Sequence, residues 1–459
     1  MLTPATAAET ERSVLEGPLR RRLARVAAAD GGALPRLEPS PGAPTPLIGR
    51  VADEDPLCRA EEAAARESPA GLLRALGALA LLADSRRVAL AVRDDYRDLL
   101  VTLRQLAADT RIEIVSVPAR YPRDNDSLRC DVAAALDRLP SAYEGAPVFD
   151  ALVLRDVATA LDGAQQPDRL VSVVGAVSRP VTRALPLGCS IEDAVAAAGG
   201  IAAGVSAVAW VAYENGLLGG LRRDADDVVD LATRSLVILP ATHPRVREDA
   251  VPLADRVRQA AAACLQCQVC REGCPVWLTR GGLQPHLLTR QLARGFAGAD
   301  APLPPDEEAS ALASLTCIGC GSCTLRCPSN VDPARLVRAT AAQLRDSGAV
   351  VERPLPLAPR VERADRLLSL ARLRQLYQPF SDAEGRHAID PRPFTPSLVA
   401  LPLRDPRGEA RPALVVRGDE LRRGEPVTRQ TPSAVALFAP RAGVVEAIDP
   451  DRGLLLRCR

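Results

Sequence analysis

The chain has 459 residues, 47% apolar and 25% charged, with a formal net charge of +1. That length exceeds what one hydrophobic core fills, so three or four folded domains are expected, and near-neutrality excludes a global pull toward nucleic acid or an anionic membrane. Every basic residue is arginine, and the absence of lysine excludes Schiff-base chemistry, a phosphate-loop lysine and a lipoyl or biotinyl carrier arm.

The first fifty residues are rich in proline, glycine and alanine, and no basic segment there precedes an apolar run, so a secretory signal is not expected. The stretch ETERSVLEGPLRRRLARVAAA reads as a first helix, with an amphipathic targeting helix as the alternative. Gly71 to Ala83 is the most apolar segment, but Arg74 interrupts it and it is too short for a bilayer. It reads as a buried helix of a cytoplasmic protein. Around Arg87 the chain runs RRVALAV, DDYRDLLVTLRQLAAD, TRIEIVSVP, the strand–helix–strand pattern of an α/β layer. A further apolar run, Phe149 to Leu154, precedes a helical stretch, Val157 to Leu161. An α/β domain is placed at residues 1–165.

LVSVVGAVSRPVTRALPLG follows, two β-prone runs flanking Ser178-Arg179-Pro180, which predicts a hairpin. SIEDAVAAAGG then predicts a helix capped by Ser190 and stopped at Gly199-Gly200. With strands expected at Val208 to Ala212 and Ser235 to Leu239, this is a β-grasp pattern, placed at 168–245. Residues 250–350 read as helix-rich. Residues 351–395 read as a linker with one helix, Val361 to Tyr377, and 396–459 as a small all-β module.

The chemistry is concentrated in two segments, CLQCQVCREGCP from Cys264 and CIGCGSCTLRCP from Cys317. Both follow C-x₂-C-x₂-C-x₃-C-P. In this pattern three closely spaced cysteines ligate one cubane and the fourth, turned away before proline, ligates the other. Two [4Fe–4S] clusters are therefore expected, one on Cys264, Cys267, Cys270 and Cys327, the other on Cys317, Cys320, Cys323 and Cys274. Zinc is the alternative, but zinc knuckles use C-x₂-C pairs and have no use for a third cysteine, a fourth and a proline in this order. Gly319 and Gly321 let backbone approach a cluster. Cys58, Cys130, Cys189 and Cys458 are isolated, and His243, His286 and His387 lack metal-ligand spacing, so all are read as packing or surface residues. Trp277 follows the first motif and either shields a cluster or packs a core. No residue is singled out as catalytic.

The dicluster segment CLQCQVCREGCPVWLTRGGLQPHLL resembles that of the PduS-like cobalamin reductases of propanediol-using microcompartments, a family related to the Rnf complex C subunit and the complex I flavin subunit. GAVSRPVTRALPLGCSIEDAVAAAGG resembles the family's soluble-ligand-binding β-grasp (SLBB) domain, and VVRGDELRRGEP with APRAGVV its lipoyl-like barrel-sandwich hybrid. The resemblance implies a multidomain fold of four parts: a Rossmann-like α/β domain, β-grasp, an α-helical ferredoxin-type dicluster domain and barrel-sandwich hybrid.

The departures fall on the flavin site. The glycine loop that cradles FMN in that family is reduced to Gly31-Gly32-Ala33-Leu34-Pro35. Its asparagine-bearing segment reads Arg50-Val51-Ala52-Asp53-Glu54-Asp55-Pro56, and its paired asparagines appear as Arg155-Asp156. A decayed flavin site is therefore expected. The resemblance implies an electron carrier of a microcompartment lumen, with a corrinoid enzyme, an adenosyltransferase or a cluster-bearing shell protein as redox partner. An FMN-dependent NADH:cobalamin or quinone reductase is the alternative, and a cluster-stapled structural or redox-sensing module a third reading. The last module has no lysine at Thr428-Arg429-Gln430-Thr431, so it is expected to dock and not to swing.

Overall fold

The computed structural model describes residues 46–459, apart from 166, 204, 206–208, 297–303, 352–354, 362, 377–386, 405–409, 430–435 and 450–452. Gly31, Gly32 and the first predicted helix lie outside the described residues, as do Gln430 and Thr431.

Strands of near-continuous apolar residues need cover on both faces. Strands β1 (Leu47–Val51), β2 (Val88–Arg93), β3 (Ile112–Val117) and β4 (Val148–Asp150) form an all-parallel sheet in the order β3-β2-β1-β4. Helices α1 (Ala60–Glu67), α2 (Pro69–Leu82), α3 (Arg97–Ala107) and α5 (Ala151–Leu161) share an apolar core on one face. Helix α4 (Asn125–Ala135) packs on the other. Helix α2 is the predicted buried helix: Ser68 caps it, accepting from Gly71 N at 3.2 Å, and Leu72, Leu76 and Leu79 are fully buried. The run Phe149 to Leu154 divides unexpectedly, because Asp150 caps α5 by accepting from Val153 N at 2.9 Å and so ends the strand after three residues.

The predicted hairpin forms between β5 (Asp168–Gly175) and β6 (Val181–Pro186). Helix α6 (Ile191–Ala197) starts where Ser190 accepts from Asp193 N at 3.0 Å. It ends at Gly199 and Gly200, with φ of 81° and 79°, a left-handed stop that glycine adopts without penalty. Strands β7 (Trp210–Glu214), β8 (Leu221–Arg223) and β9 (Ser235–Pro240) complete a mixed sheet. A sixth strand, β10 (Ala388–Pro393), pairs in parallel with β6, giving the order β10-β6-β5-β9-β7-β8.

The segment read as a linker therefore supplies a sheet edge. Its expected single helix is instead two short ones, Arg363–Arg366 and Leu370–Leu376. Between them Leu368–Ser369 pairs with Arg120–Tyr121, backbone hydrogen bonding that breaks the helix. An antiparallel sheet of β11 (Leu398–Leu401), β12 (Glu420–Leu421), β13 (Gly443–Asp449) and β14 (Gly453–Cys458) closes the chain, in the order β11-β14-β13-β12.

Along the chain, between β9 and β10, run the helices that surround the cysteines: α7 (Leu253–Ala263), α8 (Val269–Glu272), α9 (Pro275–Thr279), α10 (Pro285–Phe296), α11 (Pro305–Ala313), α12 (Ser322–Leu325) and α13 (Pro333–Asp346). Their apolar cores are small and built partly from cysteine.

Candidate metal centre

The two cysteine segments fold alike because each places left-handed residues at the same two positions. In the first motif these are Gln266 and Gln268, with φ of 52° and 66°; in the second they are Gly319 and Gly321, with φ of 71° and 72°. A one-turn helix follows each, α8 and α12. Glycine is thus not what the loop conformation demands. Gly321 is required by packing: a Cβ there would meet Leu218 O at 2.5 Å, and one on Gly219 would meet Gly319 O at 2.5 Å. The second motif is pressed backbone to backbone against the β7–β8 turn, and the Tyr121 hydroxyl donates to Cys320 O.

Across the motifs the thiols are gathered by fours. Cys264, Cys267, Cys270 and Cys327 line one small cavity of about 20 Å³ with His286, Thr289 and Val331. Burial pushes the Cys270 thiol up to about 12, and its neighbours Cys264, Cys327 and Cys267 add to that. Cys274, although part of the first motif, is buried against the second set: burial raises its thiol well above the usual range, with Cys320 and Cys317 adding to it. Cys323 is raised in the same way, by burial and then by Cys320, Cys274, Cys317 and Cys270. Four thiolates brought this close out of water repel one another, a cost that cationic irons offset. Among the described residues no three His, Cys, Asp or Glu side chains are close enough to hold a single metal ion. The four cysteines of the first set line a common space, and the donor set fits a group of irons and inorganic sulfides.

The two sets differ in surroundings. Cys267 is exposed and Leu265 is 70% exposed, so the first set reaches the surface. The second abuts a cavity of about 840 Å³, whose wall includes Gly319 and Cys320 together with Tyr121, Phe149, Arg50 and Arg234. Of the residues that the resemblance sets against the family's flavin motifs, Asp53 and Glu54 line this cavity. The Asp53 carboxylate is turned inward, accepting from Glu61 N, Glu62 N, Tyr96 Oη and Cys58 Sγ at 2.9, 3.0, 3.0 and 3.3 Å. Arg50 is held by Glu54 and Glu61, both at 2.6 Å. Asp156 does not reach the cavity; it pairs with Arg169 at 2.7 Å.

Trp277 packs with Cys274 and Cys317 in one apolar cluster. Its ring is sandwiched between guanidinium groups, Arg271 at 4.8 Å and Arg360 at 3.9 Å from the centroid. Of the histidines, His243 caps a short helix, accepting from Arg245 N at 3.1 Å, and His387 is buried against Thr182 at 2.8 Å. His286 is buried and lines the cavity of the first set. Burial, then Arg271 and Arg290, push its ring down to about 4, so it is neutral at physiological pH. Nothing in its spacing from a cysteine signalled this, because α10 carries it there only in three dimensions. Cys58, Cys130, Cys189 and Cys458 stand apart from both sets.

Residues 263–332 match the 4Fe-4S dicluster domain family. Fold and motif together define an iron–sulfur electron-transfer protein. Along its whole length the chain is similar to "Cobalamin reductase PduS" of Salmonella typhimurium, at 27% identity over 474 residues and 100% of both chains. The protein of the same name from Citrobacter freundii is 27% identical over 441 residues, covering 94% of this chain and 93% of that one. Among solved structures, a NAD⁺-reducing [NiFe]-hydrogenase in the air-oxidized state aligns with a TM-score of 0.42 and 18% identity, over 80% of this chain and 70% of that one. Among the described residues no helix is long and apolar enough to cross a membrane.

Proposed function

We propose that the chain holds two [4Fe–4S] clusters, one on Cys264, Cys267, Cys270 and Cys327 and the other on Cys317, Cys320, Cys323 and Cys274, and relays single electrons between a partner at its surface and its interior cavity. Bound clusters supply reversible one-electron chemistry. The chain's own residues do the rest. Cysteine thiolates fix the positions, Trp277 and the apolar residues Val276, Leu283 and Leu288 keep water from the Cys274 side, and the exchanged fourth cysteine holds the two sites close together. The observation that carries this reading is the meeting of cysteines across the motif boundary: Cys327 lines one cavity with Cys264, Cys267 and Cys270, and Cys274 packs in one cluster with Cys317.

The relatives' name, cobalamin reductase, supports a corrinoid as the ultimate electron acceptor; the family resemblance of the motifs adds a propanediol microcompartment as the setting, with a corrinoid enzyme, an adenosyltransferase or a cluster-bearing shell protein as the partner. In this reading the α/β, β-grasp and last all-β parts are a decayed flavin domain, an SLBB domain and a docking barrel-sandwich hybrid. Anaerobic reconstitution followed by iron, sulfide and flavin analysis tests it. About eight irons per chain without FMN are expected; colourless protein, or zinc in place of iron, overturns it.

A second reading is favoured by one observation, the cavity of about 840 Å³ reaching Cys320. If that cavity holds a flavin, the protein is an NADH-dependent reductase, and stoichiometric FMN bleached by NADH identifies it. Against this stand the inward-turned Asp53 and the Arg50–Glu54–Glu61 ion pairs, which leave those side chains engaged with protein.

A further inference from the structure

The two motifs superpose in sequence, so the same position in each can be compared for what it offers the sulfur two residues earlier. In the second motif Gly319 N donates to Cys317 Sγ at 3.4 Å, a backbone hydrogen bond. At the matching position of the first motif, Gln266 uses its side chain: Nε2 donates to Cys264 Sγ at 3.3 Å and to His286 O at 3.1 Å. Both hydrogens of that amide are thereby committed, and the amide is pinned between the thiolate and α10. The His286 residue that receives it is 6% exposed and lines the same cavity as the four cysteines. Its Nδ1 is buried without a hydrogen-bond partner among protein atoms, where a buried polar atom ordinarily has one.

We infer that Gln266 and His286 are positioning residues that set the reduction potential of the first cluster alone, Gln266 by donating to Cys264 Sγ and His286 by turning its ring toward the cluster's sulfurs. Reduction adds one negative charge to the thiolate-ligated group, so a donor aimed at sulfur stabilises the reduced form more than the oxidised one and raises the potential. The second site has a glycine where the first has Gln266, and no histidine lines its cavity among the described residues. One pair of side chains therefore moves one cluster and leaves its neighbour where it was. This rests on the two-cluster reading of the cysteines.

The test is a dithionite titration with redox mediators, followed by electron paramagnetic resonance, on reconstituted full-length protein. Cys267→Ser identifies which signal belongs to the first cluster. Gln266→Leu and, separately, His286→Leu are expected to shift that signal to more negative potential, with the other signal unmoved and iron content equal to wild type. Gln266→Asn keeps an amide but shortens it by one methylene, and is expected to behave like Gln266→Leu. If both variants retain full iron and neither potential moves, the inference fails and the cluster assignment stands. If both signals move together, it fails equally, because the effect is then general to the fold. If the wild type itself shows no cluster signal, the reading of the cysteines fails and this inference with it.

Discussion

At the scale of single residues, the interest lies in which thiol serves which site. Cys274 is four positions from Cys270 in sequence, yet it packs in one apolar cluster with Cys317 of the second motif. Cys274→Ser is therefore expected to perturb the same resonance as Cys320→Ser and to spare the one altered by Cys267→Ser. A Cys274→Ser protein that lost the Cys267-dependent signal instead would show that each motif keeps its own fourth cysteine. Asp150 makes a second prediction at this scale. Burial raises its carboxyl, but Arg234 and Arg50 more than offset that and hold it well below the usual carboxylate range. Its contribution to stability is thus fully present above the unfolded value of about 4 and is lost as pH falls toward the folded one. In urea titrations Asp150→Asn should flatten the acid limb of the stability profile below about pH 4. At neutral pH it should cost about 3–5 kcal/mol, since buried Arg50 and half-buried Arg234 lose a partner.

Between elements, the contacts that matter join the last antiparallel sheet to the mixed one. Asp168, at the start of β5, is 1% exposed and receives Arg441 at 2.7 Å and Arg423 at 2.6 Å from that last module. Gly188 lies under β11, where a Cβ would sit 2.6 Å from Ala400 O, and its φ is 79°. Gly188→Ala combines a backbone clash with a left-handed conformation alanine resists, so the module should be levered off. Asp168→Ala leaves Arg441 buried without its counter-charge, at a cost of about 3–5 kcal/mol. Both substitutions are expected to speed hydrogen exchange in β11, β13 and β14 while β1–β4 keep their protection. A module that swung freely in the wild type would show no such change, because its strands would already lack protection from that interface.

For the whole molecule, the decisive feature is the division between large apolar cores and the thin ones around the cysteines. The parallel sheet is covered by an extended apolar cluster on one face and a second on the other. Among the described residues from α7 to α13 the apolar clusters are small, built on Cys274, Val276, Leu283, Leu288, Ala311 and Val337 on one side and Ala260, Val331 and Leu336 on the other. Helices of four or five residues are not stable alone, so cluster binding is expected to contribute directly to their folding. Removing iron with a chelator under oxygen should open residues 264–327 to proteolysis and reduce helical circular dichroism, with the β1–β4 region remaining resistant. Equal susceptibility throughout would mean that this region folds without its irons.

Reading along the chain reached the cysteine motifs, the buried helix α2, the β5–β6 hairpin and the capped helix α6, because each is specified within a dozen residues by spacing, apolar periodicity or a cap. It missed β10, whose strand exists only because β6 presents an unpaired edge. It also missed His286, carried to the first set of cysteines by α10 from a position of no particular spacing. The cavity beside Cys320 was equally out of reach, since its wall is assembled from β1, β4, the β7–β8 turn and the second motif. Thiol chemistry and ligand spacing are local properties and so were written in the sequence itself. Which groups surround the sulfurs, how much water reaches them and what lies beside them depend on segments far apart in the chain, and only the tertiary structure decided those.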